Sequence, residues 1–134
     1  MSEQVKASMD VTSWDEKTIS ESGGTKITRT TMGQSCSGDI EGIAASELVM
    51  YYQEGGTAII VGFLTIDGSI DDRTGTVVLR SIGKFDGSEA TADLTVVAGS
   101  GTGGLTGISG TGTSVAPSGP TAFVELDLEF ADAP

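Results

Sequence analysis

Apolar and polar residues alternate along most of this chain, and a period of two marks a strand with one face in a core and the other in water. The alternation is cleanest at 121–131, where Ala122, Val124, Leu126, Leu128 and Phe130 fall on one face and Thr121, Glu125, Asp127 and Glu129 on the other. In 88–98, Ala90, Ala92, Leu94, Val96 and Ala98 oppose Glu89, Thr91, Asp93 and Thr95. Wound as a helix, that segment would scatter its apolar groups around the circumference. Turn signals recur between such runs: Ser22-Gly23-Gly24, Glu54-Gly55-Gly56, Asp67-Gly68, Asp86-Gly87-Ser88, Gly99 to Gly104, and Pro117-Ser118-Gly119-Pro120. Together they predict eight strands, at about 4–14, 25–37, 39–53, 57–67, 73–85, 88–98, 105–116 and 121–131. The charge-rich pieces Asp15 to Glu21 and Asp71-Asp72-Arg73 fall between strands and read as solvated loops.

Eight strands joined mostly by short hairpins escape exposed edges by closing into an up-and-down barrel; a sandwich is the alternative. The expected fold is therefore all-β, an eight-stranded antiparallel barrel forming one domain over 1–134. Such a barrel is just wide enough to be filled by side chains or to hold one small ligand. Placing the apolar set of each strand inward gives Val5, Ala7, Met9 and Val11 on the first, and Thr30, Met32, Gln34 and Cys36 on the second. The even set of the third (Ala44, Ser46, Leu48, Met50, Tyr52) is chosen because the odd set would bury Glu47. Ile60, Gly62, Leu64 and Ile66 follow on the fourth, and Val77, Leu79, Ser81 and Phe85 on the fifth. No Asp or Glu is predicted inside.

Composition narrows the chemistry. Seven Lys+Arg against 19 Asp+Glu give a net charge of −12 and there is no histidine, which disfavours nucleic acid and anionic membranes as partners. Imidazole-dependent mechanisms and His-bearing metal sites are excluded. A lone cysteine, Cys36, permits neither an internal disulfide nor a thiolate cluster, and reads as an inert buried thiol. Residues 1–20 lack a basic segment followed by an apolar one, and no apolar run approaches the roughly 20 residues that span a bilayer, so a soluble cytoplasmic protein is expected. With no inward acid pair or lysine, the remaining polar lining is Tyr52, Gln34, Ser46, Ser81 and Thr30, groups that orient a substrate or stabilise a partial charge. The plainer alternatives are a wall residue with a satisfied hydroxyl for Tyr52 and small core fillers for Ser46 and Ser81. Trp14, at the expected end of the first strand, either plugs a barrel mouth or stacks on a ligand there.

The same parity turns Val49, Tyr51, Ile59, Val61, Phe63, Val78 and Ile82 outward on three neighbouring strands, a patch that suggests a homodimer interface. Inverted parity on the fourth strand would remove it. Gly99, Gly101 and Gly104 formally match a dinucleotide fingerprint, but Thr106 to Gly112 is too rich in glycine for the helix that motif requires. A tight loop leading into a coiled strand is the simpler reading, and no cofactor or metal is expected.

Cys36-Ser37-Gly38-Asp39-Ile40-Glu41-Gly42, Gly83-Lys84-Phe85-Asp86-Gly87 and the run Gly99 to Gly107 resemble a bacterial family of proteins of unknown function with the allene-oxide-cyclase-like, calycin-like barrel. In order and spacing the resemblance covers nearly the whole chain. The glycine run is also similar to those of allene oxide cyclases and dirigent proteins, which guide ring closure or coupling of reactive apolar intermediates without a redox cofactor. Tyr51-Tyr52-Gln53-Glu54 and Gly104-Leu105-Thr106-Gly107 bear a fainter likeness to spirotetronate cyclases, which fold a polyene for an intramolecular [4+2] cycloaddition. The chain departs from the bacterial pattern at Leu64 and Ser81, where that pattern has glutamate and histidine. These departures favour shape-directed catalysis or plain binding over acid-base chemistry, and the resemblance implies cyclisation or isomerisation of one apolar small molecule; the inward faces offer Tyr52 and Gln34 as its polarising groups. Trp14, Thr30, Met32, Cys36, Ser46, Met50, Leu64 and Ser81 would line its site. The alternatives are a non-catalytic binding barrel and a filled barrel acting through its outer patch.

Overall fold

The computed structural model describes residues 2–117 and 121–130. Eight antiparallel strands close into one barrel in sequence order: β1 (Ser2–Ser22), β2 (Thr25–Gly38), β3 (Ile40–Tyr52), β4 (Ala58–Ile70), β5 (Arg73–Phe85), β6 (Ala90–Val96), β7 (Ser109–Ala116) and β8 (Thr121–Glu129). Closure comes from pairing of Ser2–Asp10 on β1 with Thr121–Glu129 on β8, leaving no free edge in the ring. The signals at Ser22-Gly23-Gly24, Glu54-Gly55-Gly56, Asp86-Gly87-Ser88 and Gly99 to Gly104 fall between strands, but Asp67-Gly68 does not. Both residues pair on each side within β4, which runs on to Ile70 and joins β5 through Asp71-Asp72, with Asp71 at φ 55° in a two-residue hairpin. The signal at Pro117–Pro120 extends outside the described residues. The parity assigned to β3, β4 and β5 holds. Ala44, Ser46, Leu48 and Met50 are buried while Val49 and Tyr51 are exposed, and Leu64 and Ile66 are buried while Ile59, Val61 and Phe63 are exposed.

Three further expectations are corrected. Residues 15–21 are not a loop but the second half of β1, paired with β2 from Asp15↔Thr31 to Glu21↔Lys26. Their charges obscure the strand because this half has no β8 beside it and keeps much of its surface in water. The last turn before β7 is also different: 105–108 precede the strand, which starts at Ser109, and Gly103–Leu105 form a single 3₁₀ turn. Ala98 likewise lies beyond β6 and is exposed, because the chain leaves the sheet after Val96.

The two ends of the barrel differ in packing. At one end Ile40, Ile66, Ile70, Val77, Leu79, Leu126 and Leu128 form a dense floor with Leu105 and Ile108. The glycine-rich stretch crosses beneath this end. It is tied by Thr102 N–H to the Thr76 carbonyl (2.8 Å) and by Ser100 Oγ to the Val97 carbonyl (2.7 Å). A Cβ at Gly101 would collide with the Leu105 carbonyl, so glycine is needed for the chain to turn Leu105 up into the floor. At the other end most inward residues of β4 and β6–β8 are small, Ala58, Ala90, Ala92, Ser114, Ala116 and Ala122, with Ile60 of β4 the larger exception. Large aliphatics close the first end and small residues leave space at the second.

Leu105→Ala is expected to lower unfolding free energy by about 3 kcal/mol, the cost of a cavity in a packed floor. Urea denaturation measures it, and a change below about 1 kcal/mol would contradict Leu105 as a structural plug.

Candidate functional site

The open end owes its chemistry to a break in the register of β1. Val11 pairs with Gln34, but Ser13 pairs with Gly33 and Trp14 with Met32, so one extra residue bulges from β1 at this point. The bulge shifts parity by one. Before it Val5, Ala7 and Met9 face inward; after it Trp14 and Glu16 stand opposite the inward Met32 and Thr30. The overhanging half of β1 therefore carries a carboxylate to the mouth, correcting the expectation that no acid faces the interior. The Tyr52 hydroxyl donates to Glu16 Oε2 at 2.5 Å, and the buried Thr28 hydroxyl donates to the same oxygen at 2.7 Å. Trp14 stands at the lip, 52% exposed.

Burial opposes charge on Glu16, but hydrogen bonds from Tyr52, Thr28 and Trp14, with the Lys26 ammonium nearby, outweigh it and hold the carboxyl below its ordinary value. Burial, reinforced by the bond to Glu16 and its charge, pushes Tyr52 up to about 12. Both directions describe one state at neutral pH: a protonated phenol directed at an ionised carboxylate. The Lys26 ammonium lies 4.9 Å from the centre of the Tyr52 ring.

Below this pair the interior continues inward. A space of about 220 Å³ is bounded by Trp14, Met50, Tyr52, Ala58, Ile60, Phe85 and Ala90. A neighbouring space of about 280 Å³ shares Trp14, Met50, Ile60, Phe85 and Ala90 and adds Met32, Gln34 and Pro117. It shares Met32, Gln34, Leu48 and Ile60 with a deeper space of about 130 Å³, which reaches Met9, Ser46, Leu64 and Ser81. Gln34 thus stands where the outer and inner spaces meet. Its Oε1 accepts from Ser46 Oγ at 3.0 Å, leaving the amide NH2 as a donor for a guest.

The residues singled out from sequence separate into two groups. Trp14, Met32, Gln34, Ser46, Met50, Tyr52, Leu64 and Ser81 are brought together around the connected spaces. Thr30 is wholly buried, its hydroxyl on Met50 Sδ at 3.7 Å, and Cys36 packs in the apolar core. Burial pushes the Cys36 thiol up, keeping it protonated and unreactive. Glu16 and Thr28 were missed. The available signal was the alternation Trp14, Glu16, Thr18 continuing the strand past its apolar half. Among the described residues no group of three or more acidic or cysteine side chains could hold a metal ion.

Glu16 is bonded in its charged form, so its contribution to stability is present above its ordinary value of 4.5 and lost as pH falls through its lowered folded value. The stability advantage of the wild type over Glu16→Gln should accordingly shrink between pH 6 and acid pH in thermal melts. Glu16→Gln should also lower the Tyr52 transition from about 12, read by ultraviolet absorbance of the phenolate. An unchanged transition would mean that the carboxylate does not hold this phenol.

A crystal structure at 1.84 Å of a protein of unknown function from the DUF3224 family of Shewanella oneidensis MR-1 is similar, with a TM-score of 0.82 and 26% identity. The match covers 99% of this chain and 100% of that one. No curated protein matches. The model of the family described as protein of unknown function (DUF3224) matches residues 5–128. This eight-stranded barrel belongs to the DUF3224 family.

Proposed function

We propose that the barrel admits one small, largely apolar molecule past Trp14 and acts on it as a cofactor-free cyclase or isomerase. The observation that carries the reading is the connected space running from the lip to Ser46 and Ser81, with Gln34 at its waist. Its walls are apolar apart from a few neutral groups, the composition of a site that fixes a guest by shape and orients it by one or two hydrogen bonds. Confinement of a flexible chain in a reactive conformer lowers the barrier to ring closure without acid, base or redox group. The Gln34 amide NH2 donates to a carbonyl and draws charge from the reacting system. Tyr52 is less suited to that task, since its proton is directed at Glu16. Its ring forms the outer wall, and the phenol oxygen with the Glu16 carboxylate accepts from a guest hydroxyl. The resemblance to allene oxide cyclases points the same way.

One observation favours a second reading, a barrel that carries its guest unchanged. Tyr52 pushed up to about 12 and Glu16 held low leave this pair unsuited to exchange protons near neutrality. Chemistry here is then restricted to reactions driven by conformation and polarisation.

Titration of the single tryptophan's emission against apolar polyenes, unsaturated fatty acids and polyketide-like carbonyl compounds, with chromatography and mass spectrometry of each mixture, tests both readings. Saturable binding with a product of unchanged mass and altered retention is expected; binding without turnover identifies a carrier. Absence of binding across the panel would contradict both. Gln34→Leu should weaken carbonyl compounds about tenfold, one hydrogen bond's worth, and leave hydrocarbon polyenes unaffected.

A further inference from the structure

Val49 and Tyr51 on β3, Ile59, Val61 and Phe63 on β4, and Ile82 on β5 are between 39% and 51% exposed on the outside of three adjacent strands. Val78, the other outward apolar residue of β5, is half-buried where Val97 and Ser100 bond to its backbone. The ladder places the patch in three rows across the sheet. The first runs Thr31, Glu47, Phe63, Arg80, Thr95; the second Arg29, Val49, Val61, Ile82, Asp93; the third Ile27, Tyr51, Ile59, Lys84, Thr91. Every row is centred on an apolar residue of β4. In the first two, opposite charges stand at equal distances on either side.

We propose that the barrel forms a homodimer in which these faces pack together about a two-fold axis running along β4. Such an axis turns each row back to front onto the same row of the second copy. Phe63, Val61 and Ile59 then meet their own counterparts, and Val49 meets Ile82 of the second copy. Glu47 meets Arg80 of the second copy, Arg29 meets its Asp93, and the Tyr51 ring meets its Lys84. Since Arg29 already bonds to Glu47 at 2.8 Å, the four charges alternate in sign along the rim: Asp93 of the second copy, Arg29, Glu47, Arg80 of the second copy. The face uses three of the chain's seven basic residues against two acids, a small positive balance on a chain of net charge −12. That balance lets two strongly acidic molecules approach at this face.

The other in-plane axis, across the strands, is disfavoured by the same rows. It would stack Arg29 on Arg29, Asp93 on Asp93 and Lys84 on Arg80. A shallow groove of about 560 Å³ beside the patch, bounded by Ile59, Ile82, Lys84, Asp93 and Val115, lies where the axis along β4 delivers Ile27 and Arg29 of the second copy. Pairing of two sheets through their outer faces leaves the barrel interior untouched, so the interface stands apart from the proposed binding site.

A charge-swap pair read by sedimentation velocity tests the axis. The wild type should sediment at twice the 13.6 kDa chain mass. Arg80→Glu opposes its new carboxylate to Glu47 of the second copy, and Glu47→Arg opposes its new guanidinium to Arg80 of the second copy, so each variant alone should raise the dissociation constant tenfold or more. Mixed, the two variants restore opposite charges across the axis and should regain the dimer. Arg29→Asp mixed with Asp93→Arg repeats the test one row along, guarding against a variant that fails to fold. A monomeric wild type throughout its soluble range would overturn the proposal. So would variants that remain dimeric alone, or folded variants that stay monomeric when mixed.

Discussion

Closure of the hydrogen-bonded ladder is the constraint on which everything else in this molecule depends. Once β1 pairs with both β2 and β8, no strand can slip by one residue without turning its whole apolar set to water, so inside and outside are fixed around the ring together. The parity of β4 illustrates the force of this. Its two faces are almost equally apolar, Ile60, Leu64 and Ile66 against Ile59, Val61 and Phe63, and no local preference separates them. Pairing of Leu64 with Ser46 and Leu79 decides the matter, because those neighbours are already committed inward. The face left outside is then an apolar surface that the monomer does not cover.

Within that frame a single bulged residue creates the polar end of the interior. Without it, Thr12, Trp14 and Glu16 would continue the outward parity of Asp10, and the carboxylate would sit in solvent. With it, Glu16 turns onto Tyr52 across the intervening β2 and Trp14 reaches the lip. A charge at a mouth is tolerable where one buried in the floor would not be: Glu16 is half-covered and accepts two hydroxyls, which compensate for the water it loses. The floor has no such groups and is closed by aliphatic side chains and the crossing glycine loop. The barrel is therefore polarised, sealed by packing at one end and opened by small residues at the other.

This explains what could be read from the sequence and what could not. Alternation located most strands to within two or three residues and assigned the inward faces of β3, β4, β5 and β8, because core strands announce themselves by which residues they refuse to bury. The second half of β1 stayed hidden. A strand lying outside the closed ring has no apolar face to display, so Asp15 to Glu21 looks like any solvated loop. The bulge is invisible for a related reason: it is defined by the partner's register, and Thr12-Ser13 carries no glycine to mark it. The site was thus legible where it is made of core-facing residues, Gln34, Ser46, Met50 and Tyr52. It was illegible where it depends on how two strands are offset. The glycine run was legible as a loop, but its use in turning Leu105 and Ile108 into the floor needed three dimensions.

Methyl-labelled methionine and leucine, followed by nuclear magnetic resonance during titration with a hydrocarbon probe small enough for the mouth, test most directly whether one end is open and the other sealed. The Met32 and Met50 methyls at the open end should shift saturably while those of Leu105 and Leu128 in the floor stay in place. Unmoved Met32 and Met50 resonances would mean a barrel filled at both ends. Shifts of the floor methyls alongside them would mean a barrel that loosens throughout, contradicting a sealed floor beneath an open mouth.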